Sequence, residues 1–230
     1  MVLLAGAVIG GLLYSNAKKN KTAGKDIAGS SASSISAVPD YPVRRDGVVV
    51  VAGKDDAKVT VDLYEDFLCP VCRAFEQANE PAMLAKVKDG SIRLRYHPVT
   101  ILNNRSDPPG YSLDAANAAL CVADGGRFPA FHDTLYAQQP EEGARGYDKG
   151  QLAKLGTDLG VTTADFTSCV DTGRYNGDIQ GATEQIVKTP HLLQDDGQGH
   201  QVFGTPTIAV DQKMIYTRNP KWLEEVLAAG

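Results

Sequence analysis

The stretch that decides the fold is Val59-Thr60-Val61-Asp62-Leu63-Tyr64, followed by Cys69-Pro70-Val71-Cys72 and then by Arg73-Ala74-Phe75-Glu76-Gln77-Ala78. The first part is rich in β-branched residues and predicts a strand, whereas the last part predicts a helix. Two cysteines two residues apart at a strand-to-helix junction are typical of a redox dithiol. Because unpaired backbone N–H groups and the helix dipole meet at this end of a helix, they would stabilise a thiolate at Cys69.

A pair of cysteines can also form a structural disulfide or half of a zinc site. A structural zinc ion needs four ligands, usually from two such pairs or from added histidines at short spacing. The other cysteines of this chain are single and distant, and no histidine flanks the pair. The sequence therefore favours redox chemistry, with Cys69 as the attacking thiolate and Cys72 as the resolving thiol, and predicts neither a metal nor a cofactor.

The order of predicted elements indicates the fold class. The helical stretch at about 111–188 interrupts an alternation of strands and helices, and without it the order is βα–β–ββα. That is the thioredoxin arrangement, so we predict an α/β protein with a thioredoxin fold and an inserted α-helical subdomain. We expect Ser112 and Thr163 to cap helices of the insertion and Pro81 to kink or interrupt the cysteine-bearing helix. The predicted strands and outer helices lie at 47–53, 58–64, 72–88, 91–96, 207–216 and 220–227.

A second element of the predicted site is Gly204-Thr205-Pro206-Thr207. Pro206 would open a strand, a position that tolerates proline. In a thioredoxin-like fold a cis-proline lies here, against the active-site disulfide. It would present the backbone of Thr205 to an extended substrate by strand addition. The alternative is an ordinary trans proline in a turn.

Two carboxylates precede the cysteine pair. One of them, Asp66 more than Glu65, could lie near Cys72 and relay its proton. An equally good interpretation is that both are solvated carboxylates at the end of a strand. The four histidines are scattered along the chain and are predicted to be structural or exposed.

Cys121 and Cys169 both fall within the predicted helical insertion. If Cys69 pairs with Cys72, these two cysteines remain for a second bridge, and the alternative is that they are two buried free thiols in helices. We favour the bridge. A structural disulfide would place the folded domain in an oxidising compartment.

The N-terminal region gives conflicting indications of location. Residues 1–14 are uncharged and apolar but too short to span a bilayer, and we favour part of a membrane anchor over a signal sequence or an apolar tail. Residues 15–45 predict a flexible linker, and the remaining 46–230 a single domain. The lysines that follow the apolar segment would favour a cytoplasmic domain, whereas the cysteines favour the opposite side. A net charge of −5 argues against a nucleic-acid partner.

Taken together, the segment from Tyr64 to Cys72 and the motif around Pro206 resemble the DsbA-like thiol:disulfide oxidoreductases. The likeness is greatest to the membrane-anchored, extracytoplasmic members of actinobacterial type, and it extends from about Val48 to Leu227. It implies oxidation of thiols in exported proteins and reoxidation by a membrane partner similar to vitamin K epoxide reductase. The second pair of cysteines also resembles the structural disulfide of that subgroup.

One residue departs from the family pattern. The best-known DsbA proteins have a histidine where this chain has Val71, and that histidine helps to hold the thiolate. The valine therefore favours a less oxidising dithiol. A reductase or isomerase of the same fold, and a non-catalytic metal- or peptide-binding protein, remain alternatives to the oxidase.

Overall fold

The computed structural model describes residues 20–28 and 39–229 of the 230-residue chain. Six described strands form one central sheet in the order β1-β2-β4-β3-β7-β8, and two short strands, β5 and β6, form a separate sheet. β3 and β4 are parallel, whereas the other paired strands are antiparallel. The strands are β1 Val43–Asp46, β2 Val49–Ala52, β3 Val59–Glu65, β4 Ile92–Pro98, β5 Gln194–Asp195, β6 Gln201–Val202, β7 Thr207–Val210 and β8 Lys213–Met214.

The helices confirm the predicted thioredoxin fold with a helical insertion. α1 connects β3 to β4, as a crossover between parallel strands requires. Five helices lie between β4 and β7, and α7 follows β8. The helices are α1 Pro70–Asp89, α2 Tyr111–Ala123, α3 Phe128–Ala137, α4 Lys149–Asp158, α5 Ala164–Thr172, α6 Asn176–Ile186 and α7 Trp222–Ala229.

The sheet and the insertion share one hydrophobic core. It includes Leu63 and Leu94 from the central strands, Met83 from α1, Leu120 from α2 and Phe131 from α3, all fully buried. Burying one such side chain contributes about 1.5–3 kcal/mol. Because the same cluster joins both parts, the insertion packs as part of the domain and holds the start of α1 in place.

Two predictions about the helices differ from the structure. Pro81 does not interrupt α1, which runs unbroken over Pro70–Asp89 and ends at Gly90 in a left-handed conformation, whereas a kink at Pro81 stays a prediction. Pro81 is exposed, so water can reach the backbone carbonyl that the missing N–H leaves without a partner. Ser112 does not cap α2, since that helix begins one residue earlier, at Tyr111. Thr163 does cap α5, where its side chain accepts a hydrogen bond from the Phe166 backbone.

The structure contains the predicted bridge between Cys121 and Cys169 rather than two free thiols. It joins α2 to α5, and both cysteines are buried. The amide of Asn117, on the same face of α2, donates to the Cys169 carbonyl at 3.3 Å and accepts from the Tyr175 backbone at 2.9 Å. Covalent and polar contacts thus hold the insertion together around α2.

The predicted linker is wrong for the parts of it that the structure describes. Val43–Asp46 form β1, which pairs with β2, and its Arg45 lies over the Tyr175 ring and pairs with Asp124. Residues 20–28 pack on the insertion, where Ile27 is buried. The polar composition concealed these contacts because they are made by hydrogen bonds and ion pairs. The rest of the predicted linker lies outside the described residues.

The predicted apolar segment at residues 1–14 also lies outside the described part of the chain. Over residues 20–28 and 39–229, no helix combines the length and the apolar content that crossing a bilayer would need.

Candidate active site

Cys69 occupies the N-cap of α1, directly after the turn that leaves β3. Its backbone N–H bonds the Asp66 carbonyl at 2.9 Å, and Pro70 takes the first helical position, where a missing N–H has no cost. Cys69 is 5% exposed, but the two residues between the cysteines face solvent, and Val71 is 60% exposed. Substrates can therefore contact the exposed Pro70 and Val71, which lie beside the largely enclosed Cys69 sulfur.

The two sulfurs have different environments. Both thiols are free, and the Cys69 Sγ accepts a hydrogen bond from the Cys72 backbone N–H at 3.4 Å. Hydrogen bonding from the Cys72 thiol, with smaller help from Thr205 and the backbone, lowers the pKa of Cys69 to about 6 despite its burial. Burial raises the pKa of Cys72 well above its usual range. At neutral pH Cys69 is the thiolate and Cys72 the thiol.

The loop before β7 faces Cys69. β7 pairs with β3, with Thr207 opposite Tyr64, which brings the loop to the end of β3 where the cysteine motif begins. The Thr205–Pro206 peptide bond is cis, as predicted. The Thr205 carbonyl lies 3.4 Å from the Cys69 Sγ, which can donate to it as a thiol. The structure therefore brings together Cys69, Cys72, Thr205 and Pro206.

Asp66 lies close by, but its carboxylate is already fully engaged. Oδ1 accepts from the Leu68 backbone at 2.9 Å and from the Ser112 hydroxyl at 2.7 Å, and Oδ2 accepts from the Leu102 backbone at 2.8 Å. Burial raises its pKa to about 6 in spite of these bonds. These contacts fix the turn that carries Cys69, and a proton relay by Asp66 stays a prediction.

Glu65 has a more suitable environment for exchanging a proton with Cys72. Its Oε1 is buried without a hydrogen-bond partner among the described residues, and its Oε2 lies 3.1 Å from His132 Nε2. The charge of Glu65 is among the causes that raise the pKa of Cys72. Burial raises the pKa of Glu65 itself to about 8, so the group can gain or lose a proton near neutral pH.

Glu76 and His132 complete a buried cluster with Glu65. Their ligand atoms all lie within 4.8 Å of one another, a donor set that could in principle hold a metal ion. Burial also raises the pKa of Glu76 well above its usual range, and both of its carboxyl oxygens are buried without a hydrogen-bond partner among the described residues. Ligation of a metal would require these carboxyls to be deprotonated, which burial opposes.

Gln139 supports the cysteine motif from the helical insertion. Its buried side-chain amide donates to the Phe67 carbonyl at 3.0 Å and to the Cys69 carbonyl at 2.9 Å. Sequence reasoning did not find Gln139, Glu76 or His132. Only Glu76 gave a usable signal, as a charged residue on the apolar face of a predicted helix.

Comparison with known proteins defines the class. A family model described as Thioredoxin matches residues 46–229, and the chain belongs to this family. The solved structure of reduced DsbA from Mycobacterium tuberculosis is similar, with a TM-score of 0.65 and 26% identity over 80% of this chain and 92% of that one. The chain therefore has the DsbA-type form of the thioredoxin fold.

Two curated proteins are also similar in sequence. The serine/threonine-protein kinase PknE of Mycobacterium tuberculosis (strain ATCC 25618 / H37Rv) is 27% identical over 191 residues, which are 80% of this chain and 32% of the kinase. Disulfide bond formation protein D of Bacillus subtilis (strain 168) is 29% identical over 167 residues, 72% of this chain and 68% of that protein. The chain thus spans about a third of the length of PknE.

Proposed function

We propose that this protein is an extracytoplasmic thiol:disulfide oxidoreductase that introduces disulfides into exported proteins through Cys69 and Cys72. The observation that carries the proposal is the difference between the two sulfurs. Cys69 has a pKa of about 6 and lies at an accessible helix end, whereas Cys72 is fully buried and its pKa is raised. An exchange reaction needs this asymmetry, with one sulfur that substrates reach and one that waits behind it.

The first half of the reaction begins with the Cys69–Cys72 disulfide. A substrate thiolate attacks the Cys69 sulfur and forms a mixed disulfide, and the bond to Cys72 breaks. Cys72 leaves with the electron pair and takes up a proton, for which Glu65 is the best-placed donor. Asp66 is the alternative relay, but its oxygens are occupied.

In the second half another substrate thiolate attacks the substrate sulfur of the mixed disulfide. The substrate disulfide forms, and Cys69 leaves as a thiolate. Two electrons have then passed from the substrate to the protein. A thiol of low pKa is a good leaving group, so the environment of Cys69 favours release of the oxidised product.

Thr205 and Pro206 supply the substrate platform in this proposal. The loop places the Thr205 carbonyl beside the Cys69 sulfur. An extended substrate segment can pair with this backbone as an added strand, which binds chains of varied sequence because the contacts involve the main chain. The partners are reduced exported proteins.

The proposed location is the cell envelope. The buried Cys121–Cys169 bridge supports an oxidising compartment. Residues 1–14 are proposed as part of a membrane anchor, with a secreted form as the alternative, and reoxidation is proposed to come from a membrane protein similar to vitamin K epoxide reductase.

A glutathione redox titration of Cys69 and Cys72 tests the direction of the reaction. An oxidase requires a potential well above that of thioredoxin, which is about −270 mV. A value at or below that level would favour the reductase alternative. Val71→His is a suitable matched variant, since the exposed position accepts a larger side chain, and it should make the dithiol more oxidising.

Refolding of a reduced, disulfide-containing substrate tests the chemistry itself. The oxidised wild-type protein should restore substrate activity, whereas Cys69→Ser should not. Full activity of Cys69→Ser would refute the thiol mechanism and favour a non-catalytic peptide-binding protein. Metal analysis of the reduced protein tests the metal-binding alternative, which requires bound metal in the purified protein.

A further inference from the structure

A cavity of about 480 Å³ lies beside the start of α1, between residues 20–28 and the loop that follows α3. Its lining is positively charged, although the whole chain carries a net charge of −5. Four cationic side chains and two anionic ones line it, which leaves an excess of two positive charges: Lys21, Lys25, Arg73 and Arg145, with Asp26 and Glu141.

The wall formed by residues 20–28 is held by several contacts. The Thr22 hydroxyl donates to the Arg145 carbonyl at 2.8 Å, and Gln151 donates to the Thr22 carbonyl at 2.7 Å. Lys21 pairs with Glu141 at 2.8 Å, and Ile27 is buried. The cavity is therefore a defined part of the folded protein.

Two of the cations are available to a ligand. Lys21 is neutralised by Glu141, and Arg145 pairs with Asp148 at 2.7 Å. Neither Lys25 nor Arg73 forms an ion pair with any residue that the structure describes. Arg73 is also in the first turn of α1, where the helix dipole disfavours a positive charge. Helix stability does not explain an arginine at this position, whereas a negatively charged ligand would.

The cavity lies beside the first turn of the helix that carries the reactive cysteine. Gln139 lines it and donates to the Cys69 carbonyl at 2.9 Å, and Arg73 lies one helical turn after Cys69. One turn is about 5.4 Å. A segment bound at Cys69 could therefore reach the cavity with a side chain roughly two to four residues from its own cysteine, at about 3.3 Å per extended residue.

We propose that this cavity binds an acidic side chain of the protein substrate, carried on the segment that presents its thiol to Cys69. The assignment rests on the proposed function and adds a substrate preference to it: cysteines with an aspartate or glutamate a few residues away. Lys25 and Arg73 supply the unpaired positive charge, and the Gln138 side chain also lines the cavity. Charge of this kind increases the association rate and selects among partners.

The test uses the full chain and peptides that differ at one position, with Asp, Asn or Lys three residues from a central cysteine. A second set carries serine in place of the cysteine, so that fluorescence anisotropy measures binding without thiol exchange. The proteins are wild type, Lys25→Gln/Arg73→Gln and the matched control Lys54→Gln/Lys58→Gln. The control removes the same charge at the opposite end of β3, where those lysines line another cavity.

Wild type should bind the Asp peptide roughly threefold to tenfold more tightly than the Asn peptide, the range expected for one or two exposed ion pairs. The Lys25→Gln/Arg73→Gln variant should reduce this ratio to about one, and the control should retain it. The inference is overturned if wild type shows no preference, if the variant keeps it, or if the control loses it equally.

The two proposals fail in different ways. Oxidation of the cysteine peptides without an acidic preference would refute the cavity assignment and leave the proposed function supported. An acidic preference in binding without oxidation of any cysteine peptide would refute the proposed function and support the cavity as an anion site.

Discussion

Raising the pH should stabilise the reduced protein relative to the oxidised protein. In the folded state, hydrogen bonding from Cys72 lowers the pKa of Cys69 from 9.0 to about 6, a difference of about three pH units. Each unit corresponds to about 1.4 kcal/mol of free energy of unfolding. Because Cys69 is already half ionised at pH 6 in the folded state and half ionised at pH 9 in the unfolded state, the reduced form should gain at most about 3 kcal/mol over the oxidised form between these pH values, and solvent screening at the helix end reduces this further.

Proton linkage determines whether the reduced protein gains or loses stability as the pH rises. A group whose pKa is lower in the folded state contributes stability that is fully present above its unfolded pKa and is lost as the pH falls through the folded value. For Cys69 this window extends from about 9 down to about 6. The oxidised form has neither thiol and so lacks this dependence. Cys72, whose pKa is raised by burial, contributes with the opposite sign, chiefly above the upper end of the window.

Glu65 and Asp66 titrate in a similar pH range, but their effect on the free energy of unfolding has the opposite sign to that of Cys69. Burial raises their pKa values to about 8 and about 6, so they favour the folded state below their usual values and lose that effect as the pH rises. Both carboxyls are present in the reduced and the oxidised forms. Comparing the two forms at each pH therefore removes most of their contribution.

Urea unfolding at several pH values measures the effect, with the buried Cys121–Cys169 bridge kept intact in both forms. The stability difference between reduced and oxidised protein should rise by at most about 1.4 kcal/mol per pH unit within the window. Reduced Cys69→Ser should show no such rise. A wild-type difference that changes by less than about 1 kcal/mol between pH 6 and pH 9 would refute the assignment of Cys69 as the thiolate.

Further predictions concern stability, and urea unfolding tests each of them. Replacing both Cys121 and Cys169 by alanine should cost about 4 kcal/mol from the 48-residue separation, and a loss below 1 kcal/mol would contradict the entropic estimate. Gln139→Ala leaves two buried carbonyls unpaired and should cost about 1–3 kcal/mol, with faster alkylation of the active-site thiols. Gly156→Ala would place a Cβ against the Phe166 ring on α5 and should cost about 1–3 kcal/mol. Gly181 has open space around it, so Gly181→Ala should instead stabilise α6 by about 0.5–1 kcal/mol. If Gly156→Ala and Gly181→Ala changed the free energy of unfolding equally, the predicted clash at Gly156 would be wrong.

The chemistry of the site was predictable because few arrangements place Cys-x-x-Cys between a strand and a helix. The spacing identified Cys69 and Cys72, and Pro206 followed from its position at the start of a strand. Periodicity also located the helical insertion, since apolar residues recur there at intervals of three and four.

The identity of the buried acid was not predictable. Glu65 and Asp66 are adjacent, and only the folded chain shows that Asp66 is bound by Ser112 and two backbone N–H groups while one Glu65 oxygen has no donor among the described residues. His132 joins the cluster from another helix, 67 residues further along the chain. Local sequence patterns carry no information about such distant contacts.

The structured part of the predicted linker was missed for a related reason. β1 contains Arg44 and Arg45, and composition alone suggests a solvated segment. Both arginines are held by acidic partners elsewhere, Arg44 by Asp55 and Arg45 by Asp124. Strand pairing with β2 then supplies backbone bonds that hydrophobic patterning does not reveal.

The position of the second disulfide has a consequence for how the protein is made. Cys121 and Cys169 are buried between two packed helices and, unlike Cys69, do not lie at an open helix end, so packing of the insertion hinders the approach of a thiolate from another molecule. We therefore expect the bridge to close before either helix is covered. A newly made copy thus needs an oxidant from its surroundings before its own fold is complete.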